Sequence, residues 1–524
     1  MRYFLSILLT LIPLIGFSQD AHKCGFSEGG FEETRVTRSG DRDIPQFDET
    51  LLDESIVSPL GHFRIHFTRS GDNAVGGSET GTPQFVTEAA LAADSAYTIL
   101  VNNLGFLPPL PDNGIDGDEL DIYIRDWNGS YYGMTYFGNT APSMSYLVVD
   151  NDYIESSYAT RGIPALQVTV AHEFFHMVQV RYAHPFDPVF SNAYWYEISS
   201  TWMEEKCYPD INDYHAYVSD NFRQASFPNL NDDRQYFAFS YGHSLFGQIL
   251  DNEYGFNSDG KHIMLDIWEH LPGKEATDNL EEVLKSSRWN STLTDALGEY
   301  AIYNVFTGSR AVNGMYYEDA AQLPEIHLKE YDLPTVFPAD TNFYLDPFEI
   351  SFRKFNIPTF SDFYVRGNAL SADQRVFLTY HNYESGSSLK SAVGDYWIPC
   401  KNVSSLDYLI FPIVNGNRES SLIYTLSFEG SALELDTKIQ ALWPNPSILS
   451  LNPPQVSIML ESPGRMSLSI FNISGQTIYN EDTYRSDGIK LIPIELPLST
   501  PAGIYFIRII TGNTVMSQKF TVFK

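Results

Sequence analysis

Cysteine is almost missing from this sequence. Cys24, Cys207 and Cys400 are its only three, scattered over 524 residues, which excludes a disulfide scaffold and a cysteine-rich zinc module. At most one pair can close, leaving one thiol over. Positive charge is also scarce: 33 Lys and Arg stand against 66 Asp and Glu, a net charge of −33. Such a field repels phosphate backbones and anionic lipid surfaces, so nucleic acid is not an expected partner and the acidity reads as a salt-tolerant exterior. Long apolar runs are lacking too. The stretch Phe4–Ile15 is too short for a hydrocarbon core ~30 Å thick. With Arg2 ahead of it and Gly16-Phe17-Ser18 behind, it has the form of a secretory signal over residues 1–18, with the mature chain expected to start near Gln19. No later run approaches spanning length, so no transmembrane segment is expected after signal removal. Repeats at solenoid periods are absent as well.

What is present is material for folded cores: 43% hydrophobic and 14% aromatic residues. A chain of 524 residues exceeds what one core supports, which predicts two to four domains. Residues 19–60 are polar and without a sustained period, as in a pro-segment or flexible leader. From 61 to 332 the pattern is α+β. His62–Phe67 alternates as a strand, Thr82–Leu100 has helical spacing, and Leu120–Ile124 and Tyr146–Val149 read as strands around a Gly- and Tyr-rich loop. Gln167–Ala183, Tyr194–Lys206, Tyr241–Tyr254 and Ile263–His270 are predicted helices. Residues 333–436, and again 441–524, consist of short runs rich in Phe, Tyr, Val and Ile broken by Pro, Gly, Asn and Ser, a pattern that predicts two β-sandwiches.

The chemistry centres on Ala171-His172-Glu173-Phe174-Phe175-His176, an H-E-x-x-H on a predicted helix. Positions i and i+4 share one helix face, so both imidazoles can reach one tetrahedral zinc. Glu173 projects beside them, where it can take a proton from a water polarised by the cation. Catalytic zinc needs a third protein ligand and an open fourth position. Glu197 is the chosen third ligand, preceded by Trp195-Tyr196 and followed by Ser199, Ser200 and Thr201, small residues that let helices approach closely. Glu204 and Glu205 are the alternatives.

With Glu197 placed after the His172–His176 pair, the arrangement resembles the gluzincins, such as the thermolysin-like proteases and zinc aminopeptidases, whose downstream helix supplies a glutamate ligand. The resemblance implies a zincin-like catalytic domain and peptide hydrolysis, with endopeptidase activity expected. Thermolysin-like enzymes carry an Asp four residues after that glutamate, where this chain has Thr201. Closer still is a group of secreted bacterial metallopeptidases, similar along Gly61–Phe67, Leu120–Ile124, Tyr146–Asp152, Val170–Gln179 and Tyr241-Gly242. Tyr241 and His243 are the candidates for stabilising the developing oxyanion, with the spacing to Gly242 differing from that in the aminopeptidases.

Two weaker features remain. Residues 112–119, Asp-Asn-Gly-Ile-Asp-Gly-Asp-Glu, alternate hard oxygen donors as calcium loops do, which makes calcium a second cofactor expectation. Lys23-Cys24-Gly25 resembles the cysteine switch of the matrix metallopeptidases, in which a thiolate fills the zinc's open position. A disulfide from Cys24 to Cys207 or Cys400 is the favoured alternative.

The last unit, with Pro444-Asn445-Pro446 at its start, Asn472-Ile473-Ser474-Gly475 midway and Gly503-Ile504-Tyr505 near its end, resembles the type A sorting domain of type IX secretion in Bacteroidetes. That resemblance implies the secretion machinery as a partner and a secreted or surface location. The expected function is a zinc peptidase acting on protein or peptide substrates. The alternative is a surface adhesin or glycan-binding protein whose zincin domain is idle.

Overall fold

The computed structural model describes residues 22–24, 52–76, 81–110, 117–138, 141–185, 192–224, 230, 237–356, 362–368, 370–382, 387–394, 397–400, 406, 408–430, 438–443, 445, 447–449, 453–460, 464–485, 488–512 and 514–523. The expected signal segment lies outside them, as does most of the leader. The chain divides into two compact units, Met1–His184 with Met203–Ala216, and Pro185–Trp202 with Tyr217–Lys524.

The first unit is built on a six-stranded sheet. Its strands are β1 (His22–Cys24), β2 (Glu54–Val57), β3 (Phe63–Phe67), β4 (Leu120–Arg125), β5 (Tyr131–Phe137) and β6 (Ser145–Asp150), in spatial order β1-β5-β6-β4-β3-β2. β3, β4 and β6 run parallel, β5 pairs antiparallel with β6, and β1 pairs parallel with β5. A crossover through α1 (Gln84–Tyr97) joins β3 to β4. Parallel strands covered by helices must be apolar on both faces; β4 and β6 are buried almost throughout. The helix α2 (Gly162–Gln179) packs on this sheet and on α1, with Phe174 against Phe63 and Tyr97 and Phe175 against Phe106. Three elements depart from the sequence reading. The Gly- and Tyr-rich loop contains β5, because Tyr, Thr and Phe there are strand formers. The leader over residues 19–60, read as outside any core, supplies both β1, whose Lys23 and Cys24 are buried, and β2, which pairs with β3.

α3 (Ala193–Cys207) runs from the second unit into the first. α4 (His215–Phe222) begins in the first unit and ends in the second, where α5 (Phe237–Gly242), α6 (Ser244–Glu253), α7 (Ile263–His270), α8 (Ala276–Lys285) and α9 (Leu293–Val305) follow. The helix expected over Tyr241–Tyr254 is thus two helices, broken at His243. Next come β7 (Lys329–Asp332), β8 (Ala339–Leu345), β9 (Ile350–Asn356), β10 (Phe363–Asn368), β11 (Gln374–Asn382), β12 (Ser387–Ala392), β13 (Ile398–Cys400), β14 (Tyr408–Asn415) and β15 (Leu422–Gly430). They form sheets β13-β10-β15-β8 and β12-β11-β14-β9-β7 around a core that includes Phe355, Phe363, Phe411 and Phe428. α9 lies against this module: a Cβ on Gly298 would meet the Phe377 ring at 2.8 Å, so a glycine is needed for that approach.

The remaining strands are β16 (Lys438–Trp443), β17 (Ser447–Ile448), β18 (Gln455–Leu460), β19 (Gly464–Asn472), β20 (Thr477–Arg485), β21 (Gly488–Pro493), β22 (Gly503–Thr511) and β23 (Thr514–Phe523). They make sheets β16-β18-β21 and β17-β23-β22-β19-β20 over a separate core containing Ile458, Leu468, Ile507 and Phe520. Asn472 turns β19 into β20: its Oδ1 accepts from the N–H groups of Ser474 and Gln476, and Gly475 takes φ 80°, an Asx-stabilised turn. Among the described residues none of the three cysteines is in a disulfide, contrary to the favoured expectation. Among the same residues no helix is long and apolar enough to cross a membrane.

Candidate functional site

α2 carries His172, Glu173 and His176 with no exposed surface to speak of. Each histidine has one ring nitrogen committed. His172 Nδ1 donates to Glu204 Oε1 at 2.7 Å, and His176 Nδ1 donates to Gln179 Oε1 at 2.7 Å. Since both acceptors are oxygens, a neutral ring donating from Nδ1 presents a lone pair at Nε2. Those two atoms lie 3.1 Å apart. Two lone pairs aimed at one point repel unless a cation lies between them, and two imidazoles on a tetrahedral zinc at ~2.05 Å have nitrogens about 3.3 Å apart. One ligand atom from each of Cys24, His172 and His176 falls within 4.8 Å of the others, and all three residues are buried; Glu197 is itself buried on α3. Imidazole, carboxylate and thiolate are zinc's own donor types, so the residues fit the ion.

Glu204, one of the alternative ligands, instead orients His172, the outer partner that metal-bound histidines usually have. Its other oxygen faces Lys23 Nζ at 2.7 Å. Lys23 also pairs with Asp213 and lies 5.6 Å from the Tyr132 ring centroid. Burial alone would raise the Asp213 carboxyl; the Lys23 charge, with hydroxyls from Thr160 and Tyr132, holds it below the usual carboxylate range.

Glu173 is anchored from β5. Thr135 Oγ1 is 2.7 Å from Glu173 Oε2 and 2.8 Å from the Glu173 carbonyl oxygen, so its one proton serves both. The other carboxylate oxygen, Oε1, is buried and has no hydrogen-bond partner among the described residues. A buried carboxylate oxygen left open this way costs free energy unless a reactant or water completes it. The approach of α2 to β5 depends on Gly133: a Cβ there would come 2.6 Å from Thr169 Cγ2 and 2.9 Å from Glu173 Cγ. Thr135 and Gly133 were missed from sequence. The available signal was a glycine inside a strand-like run, which marks a close backbone approach.

Tyr241 and His243 lie at the α5–α6 junction. Tyr241 is buried with its ring 5.1 Å from that of Tyr217, and His243 Nδ1 is 3.0 Å from the Tyr300 hydroxyl on α9. Of the expected calcium loop only Gly117–Glu119 fall within the described residues, where Glu119 is engaged by Arg64 at 3.1 Å. Asp150, Asp152 and Glu155 also gather, but the Asp150 carboxylate already accepts from the N–H groups of Trp127, Asp152 and Tyr153 and serves to fasten the loop after β6.

Residues 441–523 match the family described as the secretion system C-terminal sorting domain. This protein is a cargo of type IX secretion. The cargo is accordingly secreted or held at the cell surface, and its tail engages the type IX machinery. No curated protein matches it. Among solved structures, PorZ, a surface component of the type IX secretion system of Porphyromonas gingivalis, is 19% identical over 21% of this chain and 15% of that one, with TM-score 0.14. The β-1,2-glucanase of Parabacteroides distasonis is 10% identical over 36% and 33%, TM-score 0.12. A Parabacteroides merdae β-glucuronidase is 9% identical over 33% and 27%, TM-score 0.14. The cargo thus spans a third or less of these structures, and likeness at such scores bears on neither its fold nor its activity.

Proposed function

We propose that this cargo is a zinc-dependent peptidase with a zincin-like α+β catalytic domain ahead of its two sandwiches. One observation carries the reading: the two Nε2 atoms meet 3.1 Å apart in a buried group with Cys24, with the open oxygen of Glu173 on the same helix. His172, His176 and Glu197 would hold the ion. When bound, zinc lowers the pKa of a water toward ~7 and polarises a carbonyl. Glu173, positioned by Thr135, takes the proton of the attacking water and returns it to the leaving amine. Glu204 and Gln179 hold the two rings in the tautomer that presents Nε2. Tyr241 and His243 are proposed to stabilise the oxyanion, on the sequence resemblance.

The experiment is elemental analysis of the purified mature protein together with cleavage of casein and a quenched peptide, with and without a chelator. About one zinc per chain and chelator-sensitive cleavage are expected. A folded protein that takes up no zinc would overturn the reading. Zinc without any hydrolysis would favour the binding-protein alternative.

A further inference from the structure

One member of the donor group, Cys24, is not part of the catalytic reading. It comes from the leader, far from α2 in sequence, yet its sulfur lies within 4.8 Å of the ligand atoms of His172 and His176. Two arrangements hold it there. β1 adds to the free edge of β5, with His22 opposite Tyr131 and Cys24 opposite Gly133, the glycine against which Glu173 packs. The neighbouring Lys23 is buried and paired with Asp213 and Glu204, the latter being the residue that orients His172.

We propose that Cys24 is the fourth metal ligand of a latent form, and that the leader closes the site twice over. The reading rests on the zinc assignment above. The thiol gives up its proton to solvent, and the thiolate occupies the coordination position that the attacking water needs. The same segment takes the edge of β5, where an extended peptide would add as a strand. Lys23 is the anchor: a buried cation with two carboxylates fixes the register that delivers the sulfur. Displacement of β1 from β5 would free the metal position and the edge together.

The test uses the full-length chain loaded with Co²⁺ in place of zinc. Expected are a near-ultraviolet thiolate-to-cobalt charge-transfer band and a Cys24 that alkylates at least 10-fold more slowly than after chelation, read by peptide mass spectrometry against Cys207 and Cys400. Cys24→Ser should keep the metal and lose the band. Lys23→Ala should keep the metal and raise the alkylation rate of Cys24. Metal bound without the band, and Cys24 alkylating equally fast with and without it, would overturn the latch while leaving the zinc site standing. A chain that binds no metal would overturn the zinc assignment and the latch with it. Should Cys24→Ser fail to fold, the alkylation rates of the wild type and of Lys23→Ala decide the matter alone.

Discussion

At the scale of single residues, the site divides between groups that act and groups that aim them. In the proposed reading Glu173 is the first kind. Its amide variant Glu173→Gln keeps the side chain's size and can still accept the Thr135 proton, but cannot take a proton from water at neutral pH. Zinc content should be unchanged, and turnover of a quenched peptide should fall 10²- to 10⁴-fold, about 3–5.5 kcal/mol of barrier. Wild-type turnover at matched zinc occupancy would remove Glu173 from the mechanism. Thr135 is the second kind, since its hydroxyl lies between the carboxylate and the backbone of Glu173. Thr135→Val keeps the shape and strips the donor, so kcat should fall about 10-fold, the loss of one charge-assisted hydrogen bond, while zinc stays bound. Thr135→Ser should restore most of it. Equal damage from both variants would mean that packing, not the hydrogen bond, is what Thr135 supplies. Zinc content also separates Glu197 from Glu204 on α3. Glu197→Ala should lose the ion and Glu204→Ala should weaken its binding by 10- to 100-fold, as loss of a ligand's outer partner does.

Elements were legible where a single period governs them, and obscure where an outside partner decides. α7 occupies Ile263–His270 as the apolar spacing predicts, and H-E-x-x-H sits on a helix because 3.6-residue periodicity runs through the segment. α2 begins earlier than its pattern suggests, at Gly162 with φ 63° and Pro164 in the first turn, a place where proline's missing N–H costs nothing. β1 was invisible: three residues in a polar leader become a strand only because β5 offers an edge, and no local pattern records an edge. β5 was hidden by its glycine and tyrosines, which in isolation read as loop. The helical pairing of His172 and His176 could be read from spacing alone, whereas Thr135, Gly133 and Asp213 reach the site through tertiary contacts that no spacing encodes. That dependence on one glycine is testable. Gly133→Val would force α2 and β5 apart, at a cost of about 1–3 kcal/mol, as overpacking usually brings; thermal unfolding should show a lowered midpoint, and peptide turnover should fall with it. An unchanged midpoint would mean that α2 has room to move away from β5.

For the whole molecule, the question is whether the address and the chemistry are separable. The sorting domain has its own core, with Ile458, Leu468, Ile507 and Phe520 closed among themselves, while the middle module buries a different set around Phe355 and Phe411. Among the described residues one small cluster, Tyr364 and Met459 with Trp397 packed beside them, connects the two. A domain that buries its own apolar surface can be removed without opening its neighbour's core. Deleting residues 441–524 should therefore leave a folded, zinc-binding protein, but one without the tail that engages the secretion machinery. Fractionation of cells making the truncated chain should find it in the periplasm and reduced to background in the medium and on the surface. Metal content and thermal midpoint of the periplasmic material should match those of the mature full-length chain. If instead the truncated chain reached the medium at the wild-type level, the C-terminal domain would not be its address. A truncated chain that stayed inside only because it had unfolded would show a lost thermal transition, and the two modules would then have to be regarded as one folding unit.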